Sequence, residues 1–331
     1  MKSAETSRTA NALASQDAMQ PRRAMSDEIV VFIIMAIALA IVPLTGIYPY
    51  FVMQALCFAL FACAFNLFLG YSGLLSFGHA MFLGTAGYVC AHAAKVWGFS
   101  PELAILTGTS ASAVLGLLAG IVAIRRQGIY FAMITLGLAQ LMYFFYLQAK
   151  FTHGEDGIQG IPQGFLFGLL DLSKPLTLYY VVVAVFLLAF LLIWRIINSP
   201  YGEVLKSIRE NEQRAISLGY KVDRYKLLAF ILSATLAGLA GALKVIVAQN
   251  ASLTDVHWSM SGEVVLMVLL GGLGTIYGPV VGAFLVVAMQ QYLAGAGQWV
   301  VVIQGVIFVV CVLTFRRGIV GEIAHLFKRS L

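Results

Sequence analysis

The sequence predicts an all-α polytopic membrane protein: a helical bundle of about ten transmembrane segments, with broken or re-entrant stretches and both termini on the inner face. Three observations carry this. Apolar residues fill 60% of the 331 positions and charged residues only 11%, against roughly 45–50% and 25% in soluble domains, which excludes an ordinary soluble enzyme. Mean hydropathy is +0.90. The apolar positions gather in unbroken runs of about 20 residues, the length that crosses the hydrocarbon core as a helix, whereas barrel strands would alternate over about ten residues.

The elements follow in order. Residues 1–28 form a polar tail of mixed charge, and residues 29–47 (IVVFIIMAIALAIVPLTGI) carry no charge. Ala38, Leu39 and Ala40 imitate a signal-cleavage site, but Asp27 and Glu28 stand where a basic region should end and the apolar run continues past the site. We therefore read it as a retained span. Further spans are expected at 50–69, 80–97, 103–124, 128–149, 176–197, 227–249, a short one at 263–273, then 278–294 and 299–315. A transmembrane domain of residues 29–315 results, with an outer loop at 150–175, an inner loop at 198–226 and a basic inner tail at 316–331.

Charge orients the bundle. With ten crossings, 17 of the 21 lysines and arginines fall on one face, and only Lys95, Lys150, Lys174 and Lys244 on the other. Basic loops stay in the cytoplasm, so both termini are placed inside. The net charge of +6 thus marks a membrane face and not a nucleic-acid surface. The protein's first partner is the lipid bilayer.

Two stretches break the helical pattern at membrane depth: Gly70–His79 (GYSGLLSFGH) and Gly271–Pro279 (GGLGTIYGP). Backbone that leaves a helix there must be covered by protein or line a wet cavity, because an unpaired amide in hydrocarbon costs about several kcal/mol. They read either as pathway linings or as tight turns at the interface. Small residues recur every four positions at Gly116 and Gly120, at Ala234, Gly238 and Ala242, and at Gly274, Gly278 and Gly282. That spacing lets helices approach closely, and it indicates packing, not a site.

The inner loop 198–226 holds an amphipathic helix. Ser199 is placed to cap it, with Pro200 at its first position and Glu203 in its first turn. Leu205, Ile208, Ala215 and Leu218 fall on one face and Lys206, Arg209, Glu210 and Arg214 opposite, with Lys206–Glu210 and Glu210–Arg214 at four-residue spacing. Gly219 ends the pattern and Asp223 can cap the next span. The loop reads as a docking element for a soluble partner or as a solvated surface helix.

Several chemistries are missing from the sequence. It has no G-x-x-x-x-G-K-[ST], so phosphates of ATP are not cradled by a P-loop. The five histidines lack ligand spacing, and Cys57, Cys63, Cys90 and Cys311 lie in apolar runs without a C-x-x-C, so neither a metal site nor a cofactor is expected. The spans hold mostly neutral polar groups (Gln54, Asn66, Thr135, Gln140, Ser233, Thr235, Gln290, Gln304), while Glu263 and Lys244 sit toward span ends. A self-powered carrier usually keeps ionisable groups in mid-span. These spans suit a neutral or zwitterionic solute driven from elsewhere.

Residues 202–243 (GEVLKSIRENEQRAISLGYKVDRYKLLAFILSATLAGLAGAL) closely resemble the inner loop and following helix of bacterial branched-chain amino-acid ABC permeases, the LivM-like subunit. Residues 66–79 (NLFLGYSGLLSFGH) resemble that family's N-x-x-x-G-Y-x-G-x-x-S-x-G-H motif, residues 128–137 (GIYFAMITLG) its G-x-Y-F-x-x-x-T-L-x element, and residues 271–282 (GGLGTIYGPVVG) its G-G-x-G-x-x-x-G-P-x-x-G element. Four matches in order, over nearly the whole chain, make the resemblance specific.

The resemblance implies a non-enzymatic permease subunit of an importer in the bacterial cytoplasmic membrane. It would work with a second, related permease chain, two ATPase subunits and a soluble substrate-binding protein. The inner loop's E-x-x-A-x-x-x-G spacing, Glu212, Ala215 and Gly219, implies a segment that docks on the ATPase, and Arg209, Glu210 and Asn211 belong to it. Asn66, Gly70, Ser72, Gly73, Ser76, Gly78, His79, Tyr130, Thr135, Gly271, Gly272 and Gly274 are the pathway candidates. The outer run Thr152, His153, Gly154, Glu155, Asp156, Gly157 resembles the family's T-G-G-x-x-G, with His153 in place of a glycine. Branched-chain amino acids come first as the solute, with urea, amides and aromatic acids as competitors. The alternative function is a stand-alone secondary carrier.

Overall fold

The computed structural model describes residues 29–46, 48–293, 295, 299–314 and 318–326. The polar tail 1–28, Arg316, Arg317 and the last five residues lie outside them. Ten helices match the ten expected spans: α1 (Ile29–Ile41), α2 (Pro49–Ser72), α3 (His79–Lys95), α4 (Pro101–Ala123), α5 (Ile129–Gln148), α6 (Pro175–Ile197), α9 (Val222–Ala248), α10 (Trp258–Gly271), α11 (Gly278–Leu293) and α12 (Trp299–Thr314). Among the described residues, α2, α4, α5, α6 and α9 are long and apolar enough to cross a bilayer by themselves. The 14 residues of α10 rise only about 21 Å, so α10 and α11 form a short hairpin whose turn lies within the protein.

The core is built around α2 and α9, the two most enclosed of the five long spans. Neither shows an amphipathic stripe, because a helix surrounded by other helices is apolar on every side. The small residues allow this crowding. A Cβ added at Gly241 of α9 would lie 2.0 Å from the carbonyl oxygen of Leu83 on α3, and one at Gly238 would lie 2.3 Å from Cβ of Ser112 on α4. Ser112 Oγ donates to the carbonyl of Ala234 at 2.7 Å across the same contact. The four-residue repeats are therefore packing grooves, as expected.

Proline starts several spans on the outer side, at Pro49, Pro101 and Pro175, where its missing N–H leaves no helical bond unmade. Exposed Tyr48, Trp97, Trp258, Tyr292 and Trp299 ring that outer edge, the level that amphipathic rings prefer. The outer loop carries two short 3-10 turns and three two-residue strands: β2 (Phe165–Leu166) pairs with β3 (Leu170–Asp171), and β1 (Ile158–Gln159) pairs with β4 (Asn250–Ala251), which follows α9.

The inner loop differs from the sequence reading in detail. It holds two helices, α7 (Pro200–Glu210) and α8 (Glu212–Ser217), separated where Asn211 leaves helical geometry. Ser199 caps α7 as expected, its Oγ accepting from the Gly202 amide at 3.4 Å. Asn211 caps α8 by accepting from the Arg214 amide at 3.0 Å. That second cap turns the chain, so Leu205, Ile208 and Ala215 are buried while Leu218, expected on the same face, is 71% exposed. The anticipated Lys206–Glu210 and Glu210–Arg214 pairs are not made. Lys206 pairs instead with Glu203 at 2.8 Å, and Asp223 lies inside the first turn of α9 without capping it. Within the inner tail, residues 318–326 form a further helix, α13 (Gly318–Leu326), packed against α10 and α11.

Candidate functional site

The two glycine-rich breaks meet at the inner end of the bundle. α2 stops when Gly73 takes a left-handed φ of 74° and its amide donates to the Leu69 carbonyl at 3.1 Å. α10 stops at Gly272, with Gly274 also left-handed at φ 79°. The buried Asn66 of α2 clasps the second break: its Nδ2 donates to the Thr275 carbonyl at 2.9 Å and its Oδ1 accepts from the Gly274 amide at 3.0 Å. Thr275 Oγ1 in turn donates to the Gly272 carbonyl at 2.8 Å and accepts from the Gly278 amide at 3.1 Å. Polar backbone released by the break is thus satisfied by neighbouring protein, as membrane depth requires. A Cβ at Gly70 would lie 2.5 Å from Asn66 Oδ1 and 3.1 Å from Gly274 Cα, so two bare backbones are pressed together there.

The inner loop reaches this joint directly. Arg209, at the end of α7, donates through Nη1 to the Gly70 carbonyl. Its side chain also covers Gly73 and Gly274, where added Cβ atoms would lie 3.2 Å from its Cγ and 3.1 Å from its Nη1. A cation at a helix C-terminus is favoured by the unsatisfied carbonyls there. α7, α2 and the α10–α11 turn are therefore connected through one guanidinium.

The other pathway candidates divide into enclosed and open groups. Ser72, Ser76, Gly78, His79, Thr135, Gly271 and Gly272 are buried, whereas Gly73 and Tyr130 are exposed. Thr135 Oγ1 accepts from the Phe77 amide at 3.2 Å and Ser76 Oγ from the Gly78 amide at 3.2 Å. These side chains hold the first break in shape. His79 sits among Phe65, Phe68, Phe82 and Phe230, with Nε2 2.9 Å from Ser233 Oγ.

In the proposed docking segment, Ala215 is buried and Gly219 ends α8 with φ 89°. Glu210 and Asn211 are exposed. Glu212 faces inward: its Oε1 lies 2.7 Å from Nζ of Lys226 on α9 and accepts from Nε2 of Gln127 at 2.7 Å. Lys226 is only 2% exposed. Sequence reasoning took it for one more basic residue of the inner face, and no local signal marked the pairing. Outward from α8, Ile216, Leu218 and Tyr220 are exposed, beside the exposed Arg214 and Lys221.

On the outer side, buried Thr152 donates to the Tyr146 and Ala149 carbonyls at 2.5 and 2.6 Å. His153 takes the left-handed φ of 60° that a glycine would adopt without strain. Gly154 follows at φ 60°, and Gly157 packs so closely on β4 that a Cβ would lie 2.2 Å from the Ala251 carbonyl. Glu155 and Asp156 point to solvent. Among the described residues no cluster of histidine, cysteine, aspartate or glutamate is arranged to hold a metal ion.

A family model described as "branched-chain amino acid transport system / permease component" matches residues 47–312. The high-affinity branched-chain amino acid transport system permease protein LivM of Salmonella typhimurium is 27% identical over 277 residues, covering 77% of this chain and 65% of that protein. Its Escherichia coli counterpart gives the same figures. The autoinducer 2 import system permease protein LsrC of Salmonella typhi is 27% identical over 209 residues, covering 59% of this chain and 56% of that protein. The chain thus spans 65% of the length of the LivM relatives. No solved structure matches it.

Proposed function

The chain belongs to the branched-chain amino acid transport system permease family, and from that premise we propose that it is the membrane-embedded subunit of an ATP-driven importer in the bacterial cytoplasmic membrane. It moves a branched-chain amino acid or a closely similar solute inward. ATP is hydrolysed by two separate ATPase subunits, a second permease chain completes the path, and a soluble binding protein delivers the solute to the outer face.

The observation that carries this reading is the Arg209 joint. A partner that docks on the exposed face of α8 moves α7, and α7 is bonded to the carbonyl end of α2. Asn66 passes the displacement to the α10–α11 turn. Both breaks then shift together, and Gly73, Leu273 and Gly274 are the groups that meet water as the inner end opens. The enclosed Ser76, Gly78, His79 and Thr135 support the first break. Exposed Ile216, Leu218 and Tyr220 favour protein docking over a solvated helix, since apolar groups beside a cationic rim are what a protein partner covers.

The test is co-purification with the ATPase subunits and uptake in proteoliposomes. Leu218→Asp should leave membrane insertion intact and release the ATPase, while Gly219→Ala should keep ATP hydrolysis but uncouple it from uptake. Full uptake by the chain alone under an ion gradient, without ATPase, would overturn the proposal in favour of a stand-alone carrier.

A further inference from the structure

The outer loop carries an apolar finger that the inner joint and the docking segment do not use. Residues 160–170 (GIPQGFLFGLL) bear no charge, and β2 pairs with β3 there, Leu166 opposite Leu170. Phe167 and Gly168 both take left-handed φ values, 50° and 71°, and the Leu169 amide donates to the Leu166 carbonyl at 3.1 Å. Two successive positive φ angles make a tight hairpin turn, a place that Asn-Gly or Asp-Gly usually fills. A bulky phenylalanine is strained in that backbone. Such strain persists where the surroundings hold it, and it points to a use for the side chain.

The base of the finger is fixed to the start of α4. Gly164 lies so near Pro101 that an added Cβ would be 3.4 Å from its ring carbons, Glu102 Oε2 accepts from the Phe167 amide at 3.3 Å, and Leu166 packs on the core. Phe165, Phe167, Leu169 and Leu170 are all exposed, Leu169 by 86%. The first turn of α4 beside them begins an exposed stripe, Leu103, Leu106, Val114 and Leu118, which is the face this span turns to hydrocarbon. The finger therefore continues a surface that lipid already covers. Its chemistry also fits lipid: the exposed apolar groups of α8 stand beside Arg214 and Lys221, as a protein-docking patch does, whereas the finger has no charged rim within residues 160–170. The amides of Phe167 and Leu169 are satisfied within the chain, as a segment leaving water requires.

We propose that this hairpin is a foot in the outer leaflet: Phe165, Phe167 and Leu169 insert at the boundary of headgroups and acyl chains and tie the outer loop to the membrane beside α4. Its partner is the lipid surface itself. The inference goes beyond the transport reading and holds whichever solute is carried and whatever drives it.

The experiment attaches a small bimane fluorophore at Leu169→Cys in the assembled transporter, with the unsubstituted chain as the labelling control because Cys57, Cys63 and Cys90 are buried. The labelled protein is placed in vesicles of phosphatidylethanolamine and phosphatidylglycerol, and quenching is read with aqueous iodide on both sides and with a lipid carrying a nitroxide near its headgroup. The expected result is strong quenching by the nitroxide lipid and several-fold weaker quenching by iodide than at the exposed control Glu155→Cys, with no change when the binding protein is added. Adding Phe165→Ser and Phe167→Asn should abolish the nitroxide quenching and restore iodide access, and asparagine tolerates the left-handed backbone, so the turn is kept. Iodide quenching equal to that at position 155 would overturn the inference. So would shielding from iodide without nitroxide quenching, or shielding that appears only with the binding protein, since a protein would then cover the finger. Nitroxide quenching unchanged by the two polar substitutions would assign the depth to the label and overturn it as well.

Discussion

Removing the Glu212 carboxylate tests whether that residue anchors α8 within the chain. Its partner Lys226 is 2% exposed, whereas Glu212 itself is 22% exposed, and the two are 2.7 Å apart. Deleting one member of a buried pair costs about 3–5 kcal/mol, because the other charge is left buried. Partial exposure of Glu212 lets water screen the pair, so the low end, about 3 kcal/mol, is the working value. At about 1.4 kcal/mol per tenfold, Glu212→Gln should raise the open population of α8 by about a hundredfold. Hydrogen–deuterium exchange of residues 211–221 reads that population directly, since local opening and not global unfolding governs it. Adding Lys226→Met to Glu212→Gln should recover most of the protection, because the stranded charge is then gone. Exchange within about twofold of wild type in Glu212→Gln would refute the anchoring argument and return the carboxylate to a partner-facing role.

Other expectations follow from the same contacts. Asn66→Ala leaves the Gly274 amide and the Thr275 carbonyl without their partner, at about 1–3 kcal/mol for each buried group. A cysteine at position 273 should then react faster with a small aqueous thiol reagent, and complete inertness in every state would remove this break from the path. Gly282→Ala would place a Cβ 1.8 Å from the Met267 carbonyl, an overpacking that costs at least about 1–3 kcal/mol, and should lower the yield of folded protein in detergent. Gly219→Ala meets no neighbouring atom, so its cost is the left-handed backbone alone, about 1–2 kcal/mol, seen as fraying of α8 in the same exchange measurement.

Spans were legible because membrane insertion imposes a length and a composition on each one, and α4 or α6 needs no tertiary knowledge to be found. The joint was legible only as two separate glycine-rich strings. Its closure depends on Asn66 meeting Thr275 across 209 residues, and nothing local in either string encodes the other. The inner loop was read as one helix because its apolar positions keep a helical period through Asn211. The Asn211 cap breaks that period, and this exposes Leu218. Glu212 was visible as part of a spacing, but the buried partner that turns it inward lies on the next helix, disguised as a surface lysine at a span end.

Gly318 opens α13 against Gly272, so tightly that a Cβ there would come within 2.4 Å of the Gly272 Cα. Ribosomal synthesis runs from the amino end, so α2 and its Asn66 are finished long before the turn they clasp, and that turn is finished before the segment that presses on it. The inner doorway is consequently closed by a keystone that emerges only after both of the strings it locks have been made.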